Sequence, residues 1–99
     1  MLIIREVMHC KPGQARPMVK KFLALNKVSK KLGFGVMKVM TDVSGDRFWT
    51  VVGEMEIESL DKHAELMQKA MESKEVQEIM KDYHDLVDSG RREIYRVEK

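Results

Sequence analysis

The first part of the chain alternates between an apolar strand pattern and a helical one. Leu2–Cys10 is rich in apolar and β-branched residues, which is typical of a β-strand, and the turn sequence Lys-Pro-Gly at 11–13 follows it. From Gln14 to about Leu32, apolar residues recur at helical spacing and lysines fill much of the rest, which predicts an amphipathic helix. Gly33 ends that helix. The apolar positions are Ala15, Met18, Val19, Phe22, Leu25 and Leu32.

Two strands joined by a hairpin are predicted next. Val36–Val43 is the first of them, Ser44–Asp46 is the turn, and Arg47–Ile57 is the other strand, with clean alternation. One side of this third strand is predicted to lie under the helices; it carries Trp49, Val51, Gly53, Met55 and Ile57. The opposite side carries Phe48, Thr50, Val52, Glu54 and Glu56.

The C-terminal part predicts a broken helix followed by a last strand. Ser59 and Ser73 are each suited to cap a helix N-terminus, so the helix is expected to restart at Ser73. We expect Gly90 to end it and Arg91–Val97 to form the last strand. The first piece has an apolar stripe of Leu60, Ala64, Met67 and Met71. The second piece has a stripe of Val76, Ile79, Met80, Tyr83 and Val87.

The predicted order β-α-β-β-α-β indicates a single ferredoxin-like α+β domain over residues 1–99. In that fold an antiparallel four-stranded sheet is covered by helices on one face only. The other face would carry an apolar set made of Val36, Met40, Phe48 and Val52. Such a set favours a second copy as its cover, and therefore a homodimer through the sheet faces.

Composition and charge narrow the function classes. The chain is 43% hydrophobic and 34% charged with one cysteine, which argues against disorder, a membrane span, a disulfide framework and a multi-cysteine metal site. The opening Met-Leu-Ile-Ile-Arg-Glu is too charged for a signal peptide, so we expect a cytoplasmic protein. Residues 1–50 carry ten Lys/Arg and three Asp/Glu, whereas residues 51–99 carry eight and thirteen.

The basic residues are concentrated between Lys11 and Thr41, where there are eight of them and no acid. They could form an anion-binding or nucleic-acid-binding surface, or a basic helix that lies beside acidic helices. Because the positive net charge of the first half and the negative net charge of the second half nearly cancel, we favour the second interpretation. We therefore expect no nucleic-acid binding. An RNA-recognition module would also need stacking aromatics on its first and third strands, and the first strand has none.

The chain resembles the dimeric α+β barrel superfamily, which includes antibiotic-biosynthesis monooxygenase-like, NIPSNAP-like and stress-responsive barrel proteins. The resemblance rests on the first strand leading into Lys11-Pro12-Gly13, the long helix after it, and the helix restart Ser73-Lys-Glu-Val76. It implies a homodimer whose sheets form a barrel, often with a cleft between sheet and helices. It implies no single activity, since members include cofactor-free oxygenases, haem-degrading enzymes and isomerases.

The haem-degrading members differ from this chain at their functional residues. They have an asparagine on the first strand and a Trp and a His on the second helix. Aligned on Ser73, this chain has Ala70 at the Trp position and Met80 at the His position, and its first strand has no asparagine. Haem degradation is therefore disfavoured, and we expect no cofactor.

Four residues are candidates for chemistry. His84 could act as a base if Asp88, four residues on, orients its ring on a helix, and Tyr83 beside it could contact substrate. A solvated His84–Asp88 pair is the alternative. His9 could be a base that lines the barrel, or a strand-end histidine; its neighbour Cys10 faces the other way and cannot pair with it. Trp49 is a second candidate for substrate binding.

Other polar residues give weaker indications. Three histidines without a Cys, Asp or Glu cluster at ligand spacing predict no metal site. The nine methionines fit an adaptable apolar pocket or ordinary core filling. Arg5 and Glu54 are expected to form an ion pair across neighbouring central strands.

Two functions remain open at this point. The first is a small homodimeric enzyme or binding protein, monooxygenase-like, for an apolar or aromatic small molecule. The second is a non-catalytic dimeric binding or assembly module. If a small-molecule site exists, we expect it between the sheet and the broken helix, beside Tyr83 and His84.

Overall fold

A computed structural model describes all 99 residues as one antiparallel sheet with helices on one side. The strands are β1 (Leu2–Cys10), β2 (Lys38–Thr41), β3 (Thr50–Ile57) and β4 (Val87–Arg96). The helices are α1 (Ala15–Lys31), α2 (Leu60–Glu72) and α3 (Lys74–Met80), followed by a 3-10 turn at Tyr83–Asp85. The strand order β2-β3-β1-β4 is the ferredoxin-like arrangement, which confirms the predicted fold class. None of the helices is both long and apolar enough to cross a membrane.

The core forms where α1 packs on the two central strands. Its buried members are Cys10, Met18, Val19, Phe22 and Val51. Gly53 on β3 leaves room for the Phe22 ring, since a Cβ there would lie 3.1 Å from its Cε2 atom and 2.6 Å from the Met37 sulfur. The predicted inner side of β3 is thus confirmed at Val51, Gly53 and Ile57, which are all buried.

Strand β2 begins later than the predicted Val36–Val43 because a side chain of α1 forms hydrogen bonds with the backbone of Met37. Asn26 Oδ1 accepts from the Met37 amide at 2.8 Å, and Asn26 Nδ2 donates to the Met37 carbonyl at 2.9 Å. With both its backbone groups bonded to Asn26, Met37 lies outside the ladder, and β2 begins at Lys38.

The predicted three-residue turn is a loop over residues 42–49, so Arg47, Phe48 and Trp49 are not part of the third strand. Trp49 has a φ of 60°, which a bulky side chain rarely adopts and which no regular strand allows. The backbone of Thr50 donates to Asp42 Oδ1 at 2.9 Å and closes the loop at its base. The prediction that Arg47, Phe48 and Trp49 belong to the third strand is therefore wrong, although Trp49 still lies on the helix side, where it lines a cavity with α1.

Both predicted serine caps of the broken helix are confirmed. Ser59 Oγ accepts from the Lys62 amide and Ser73 Oγ accepts from the Val76 amide. The prediction that the helix continues to Gly90 is wrong. It ends at Met80, and Asp82 takes a left-handed φ of 66°.

Gly90 lies within β4 instead, opposite Met8. A Cβ there would lie 3.1 Å from the Met8 sulfur and 3.2 Å from the Val7 carbonyl oxygen, so the glycine serves close packing within the sheet. Gly90 therefore marks a close approach between strands and not the end of a helix.

The apolar stripe predicted to bury α2 is exposed. Leu60 is 55% exposed and Met71 is 71% exposed, and α2 has no buried residue at all. Its half-buried positions are His63, Leu66 and Ala70, which lie on a different side of the helix. The helix therefore rests lightly on the sheet.

The sheet face turned away from the helices, here called the open face, carries Ile3, Arg5, Val7 and His9 of β1 with their cross-strand partners. Met40 and Val52 lie on it as predicted, whereas Val36 and Phe48 lie outside the strands. The predicted ion pair is confirmed: Arg5 Nε lies 2.6 Å from Glu54 Oε1. A second pair on this face joins Arg91 to Glu93 at 2.7 Å.

The basic helix α1 is packed against α3 in the acidic C-terminal half, as favoured from the charge pattern. Lys31 pairs with Glu75 of α3 at 3.1 Å. Lys21 Nζ donates to the carbonyls of Ile79 and Lys81, at 2.7 and 2.8 Å. These carbonyls are at the C-terminal end of α3, where a cation also stabilises the helix dipole.

Replacing Gly53 with alanine should destabilise the fold. The added methyl group would overlap Met37 and crowd the buried ring of Phe22, so we expect a loss of about 1–3 kcal/mol in the free energy of unfolding. Urea denaturation measures this. Gly35→Ala is the matched control, because its Cβ would meet only Met55 Cε at 3.7 Å. Equal midpoints for the two variants would contradict this account of the core.

Candidate functional site

The candidate residues collect at one end of the sheet. β1 ends there at Cys10, β3 begins at Thr50 beside His9, and β4 begins at Val87 beside Cys10. The 3-10 turn with Tyr83 and His84 leads directly into β4. Different cavities lie beside His9, beside Trp49, and beside Tyr83 and His84, so the four predicted residues do not form one site.

His9 lies on the open face and is only 8% exposed. Arg91 Nη1 is 2.9 Å from His9 Nε2, and a guanidinium can only donate, so Nε2 accepts and the ring is neutral. The ring proton is therefore on Nδ1, 3.3 Å from Thr50 Oγ1, and the Thr50 hydroxyl donates to the Arg47 carbonyl at 2.9 Å.

The surroundings of His9 hold its pKa below the usual value. Burial is the main cause, followed by the positive charges of Arg47 and Arg91, while Asp46 acts in the opposite direction. Both ring nitrogens are engaged, so the arrangement stabilises a neutral imidazole and leaves no free nitrogen to accept a proton from a substrate.

The groove above His9 has a volume of about 460 Å³. Its floor is the open face, and the 42–49 loop forms one wall. Its charged lining is balanced: Arg5, Lys38, Arg47 and Arg91 face Asp42, Asp46, Glu54 and Glu93. The balance gives no preference for an anion or a cation.

Trp49 borders a different cavity, of about 450 Å³, on the helix side of the 42–49 loop. Ala15, Arg16 and Val19 of α1 form one wall. Thr41, Asp42, Phe48 and Trp49 form the opposite wall. This lining is mostly apolar and contains two aromatic rings.

Tyr83 and His84 line a third cavity, of about 330 Å³, between the sheet and the 3-10 turn. Their ring centroids are 4.0 Å apart. Asp88 is in β4, so the helical spacing that would place it beside His84 is not formed. Here the helix-side ion pair of Glu6 and Arg92 contributes to the lining.

Sequence reasoning missed the Glu6–Arg92 pair and the role of Arg91. The strand register places Glu6 opposite Arg92, and Val7 opposite Arg91. The start of β4 was not recognised, so this register could not be derived. Had the alternation been extended back from Ile94 through Gly90, it would have placed the two arginines on opposite faces.

A histidine near this cavity has an unpartnered buried atom. His63 Nε2 is buried on the inner side of α2 and makes no hydrogen bond. Burial, then the charge of Arg92, lowers its pKa, while Glu6 acts in the opposite direction. Across the chain, no three His, Cys, Asp or Glu side chains converge as metal ligands would.

Protein stability should fall as the pH drops below about 6.5. The unfolded chain takes up a proton at His9 near that pH, whereas the folded pKa is lower, so acid favours unfolding. His9→Gln should flatten part of this fall, measured as urea midpoints at pH 7.5, 6.5 and 5.5. His63 supplies a further part. His84→Gln is the control for loss of an exposed histidine, and an unchanged slope in His9→Gln would refute the assignment.

Comparison with known proteins identifies the fold. No family model matches the sequence, and a search of curated proteins finds no match. Among solved structures, a NIPSNAP family protein of unknown function from Agrobacterium tumefaciens has a TM-score of 0.80 at 18% identity. The alignment covers 96% of this chain and 86% of that protein. An uncharacterised NIPSNAP-like domain protein from Burkholderia xenovorans has a TM-score of 0.82 at 17% identity, covering 98% and 84%.

A more distant similarity is to a candidate antibiotic biosynthesis monooxygenase from Deinococcus radiodurans. Its TM-score is 0.67 at 12% identity, and the alignment covers 100% of this chain and 94% of that protein. The predicted resemblance is therefore confirmed in structure: the chain has the ferredoxin-like fold that NIPSNAP-like and monooxygenase-like proteins share.

Proposed function

We propose that the chain forms a homodimer and binds an apolar or aromatic small molecule, in the manner of a monooxygenase-like protein. The copies would pack open face to open face. The ligand would occupy the cavity lined by Tyr83 and His84, here called the cleft. The observation that carries the ligand site is that Tyr83, His84, Met8 and the Glu6–Arg92 pair line this one cavity.

The exposed surface of the chain supports the dimer. A folded monomer of 11.5 kDa is expected to expose about 5,800 Å², whereas this chain exposes 7063 Å². The excess is roughly 1,260 Å², and each partner in a standard interface covers about 800 Å². The chain is a slab 18 Å thick, so one broad face can be covered by a partner.

The charges on the open face are compatible with being covered. Arg5 and Arg91 each have a carboxylate partner within the same subunit, Glu54 and Glu93. Arg5 also lies over the Tyr95 ring, 5.3 Å from its centroid. Burying paired charges costs less desolvation free energy than burying single ones, and the half-buried Met40 and Val52 supply apolar contact beside them.

The composition of the cleft supports chemistry on an aromatic hydroxyl compound. Met8, Val87 and the Tyr83 ring provide apolar contact, and the exposed His84 ring can accept a proton. Arg92, held by Glu6, provides positive charge for the anion formed. Deprotonation of this kind is what the protein must supply when the substrate itself reacts with oxygen.

A non-catalytic dimeric module is the second candidate. The observation that favours it is that His84 makes no hydrogen bond to a carboxylate, because Asp88 lies in β4, so no acidic group supports the ring as a base. In this alternative, the open face would form the dimer and the cleft would have no catalytic part.

The dimer should be seen as a species of about 23 kDa, twice 11.5 kDa, by light scattering at micromolar concentration. Met40→Asp should shift it toward monomer, because the new carboxylate would be buried in the interface without a partner. Met71→Asp, at an exposed site on α2, is the matched control and should remain dimeric. A folded monomer before any substitution would refute the homodimer.

The cleft is tested with 1-naphthol as the probe, using isothermal titration calorimetry. His84→Ala should weaken binding roughly tenfold, because it removes the hydrogen-bond acceptor for the naphthol hydroxyl. Asp85→Ala is the control, since Asp85 shares the 3-10 turn but does not line the cleft. Equal affinity for the two variants would rule out His84 and leave the non-catalytic module.

A further inference from the structure

The cavity beside Trp49 is separate from the cleft and carries an inference of its own. We propose that it binds a planar aromatic ligand with an anionic group, such as an aromatic carboxylate. Its volume of about 450 Å³ is within the usual range for small-molecule sites. None of the residues that line it lines the cleft, so this proposal stands or falls independently of the proposed function.

The backbone holds Trp49 in an unusual conformation at the cavity. Its φ of 60° is uncommon for any residue with a side chain and rare for a bulky one. Hydrogen bonds on both sides fix this conformation: the Cys10 amide donates to the Trp49 carbonyl at 2.9 Å, and the Thr50 amide donates to Asp42. Conformations of this kind tend to be kept where they position a functional group.

Two aromatic rings are left in contact with solvent at this cavity. Phe48 is 84% exposed and Trp49 is 43% exposed, although both are large and apolar. Ala15 and Val19 on the facing helix are aliphatic, so the wall opposite the rings is apolar as well. A planar ring that stacks on the indole would cover this surface, and offset stacking is favourable in itself.

Arg16 and Asp42 balance each other in number but lie on opposite walls, so the position of the charges favours an anionic group beside the helical wall. Arg16 lines the cavity and has no carboxylate within ion-pair distance, and Lys20 follows one turn later. The whole segment from Lys11 to Thr41 contains no acid. Asp42 lies on the opposite wall, where its Oδ1 atom accepts from the Thr50 amide, so it directs the anionic group of a ligand toward Arg16.

The single tryptophan gives a direct measurement. The probe is 4-nitrobenzoate, whose nitroaromatic ring quenches indole fluorescence on contact. We expect saturable quenching, with binding at least fivefold weaker for the neutral 4-nitrobenzamide. Arg16→Gln should remove that difference, because the cation that recognises the carboxylate is gone. Purely linear quenching, or equal affinity for acid and amide, would overturn the proposal.

Two further variants locate the probe. Ala15→Phe should abolish saturable quenching by filling the cavity, whereas Ala64→Phe, at an exposed site on α2, should leave it intact. His84→Ala should also leave it intact. Reduced quenching in His84→Ala would place the probe in the cleft and overturn this inference, and unchanged quenching in Ala15→Phe would do the same.

Discussion

The seating of α1 on Gly53 is the contact on which the rest of the molecule depends. Because β3 has no side chain at that point, the Phe22 ring approaches the sheet closely, and Met18 and Val51 are fully buried beside it. The position of α1 in turn fixes its two ends. Its first turn forms a wall of the Trp49 cavity, and Lys21 near its middle binds the carbonyls that end α3.

The two faces of the sheet divide the chemistry between them. On the open face, His9 is bonded through both nitrogens and flanked by two arginines, which suits a neutral structural residue more than a catalyst. On the helix side, Tyr83 and His84 lie over the Glu6–Arg92 pair with their polar groups accessible. Within β1, adjacent residues such as Glu6 and Val7 therefore serve different purposes, as the alternation of a strand requires.

Local signals in the sequence predicted most of the fold and less of the site. Ser59 and Ser73 cap helices through bonds to residues three positions on, so a sequence pattern reveals them. Helix α3 ends just before Asp82, which has a left-handed conformation. The sequence does not reveal this end, because the periodic apolar pattern continues through Tyr83. Asn26 ends the ladder at Met37 from another element, and no short window of sequence contains such a contact. The loop that contains Trp49 is hidden for the same reason, since the hydrogen bonds that hold it come from Cys10 of β1 and from Asp42.

The small buried contact of α2 with the sheet has a consequence for local unfolding. The helix is well capped at Ser59, yet it buries no residue, and the one buried polar atom beneath it, Nε2 of His63, is unpaired. Segments with few buried apolar contacts open locally at a small cost in free energy while the rest of the fold persists. Helix α2 is thus expected to open at a lower free-energy cost than the core, with its peptide groups still bonded to one another, while the contact between Phe22 and Gly53 persists.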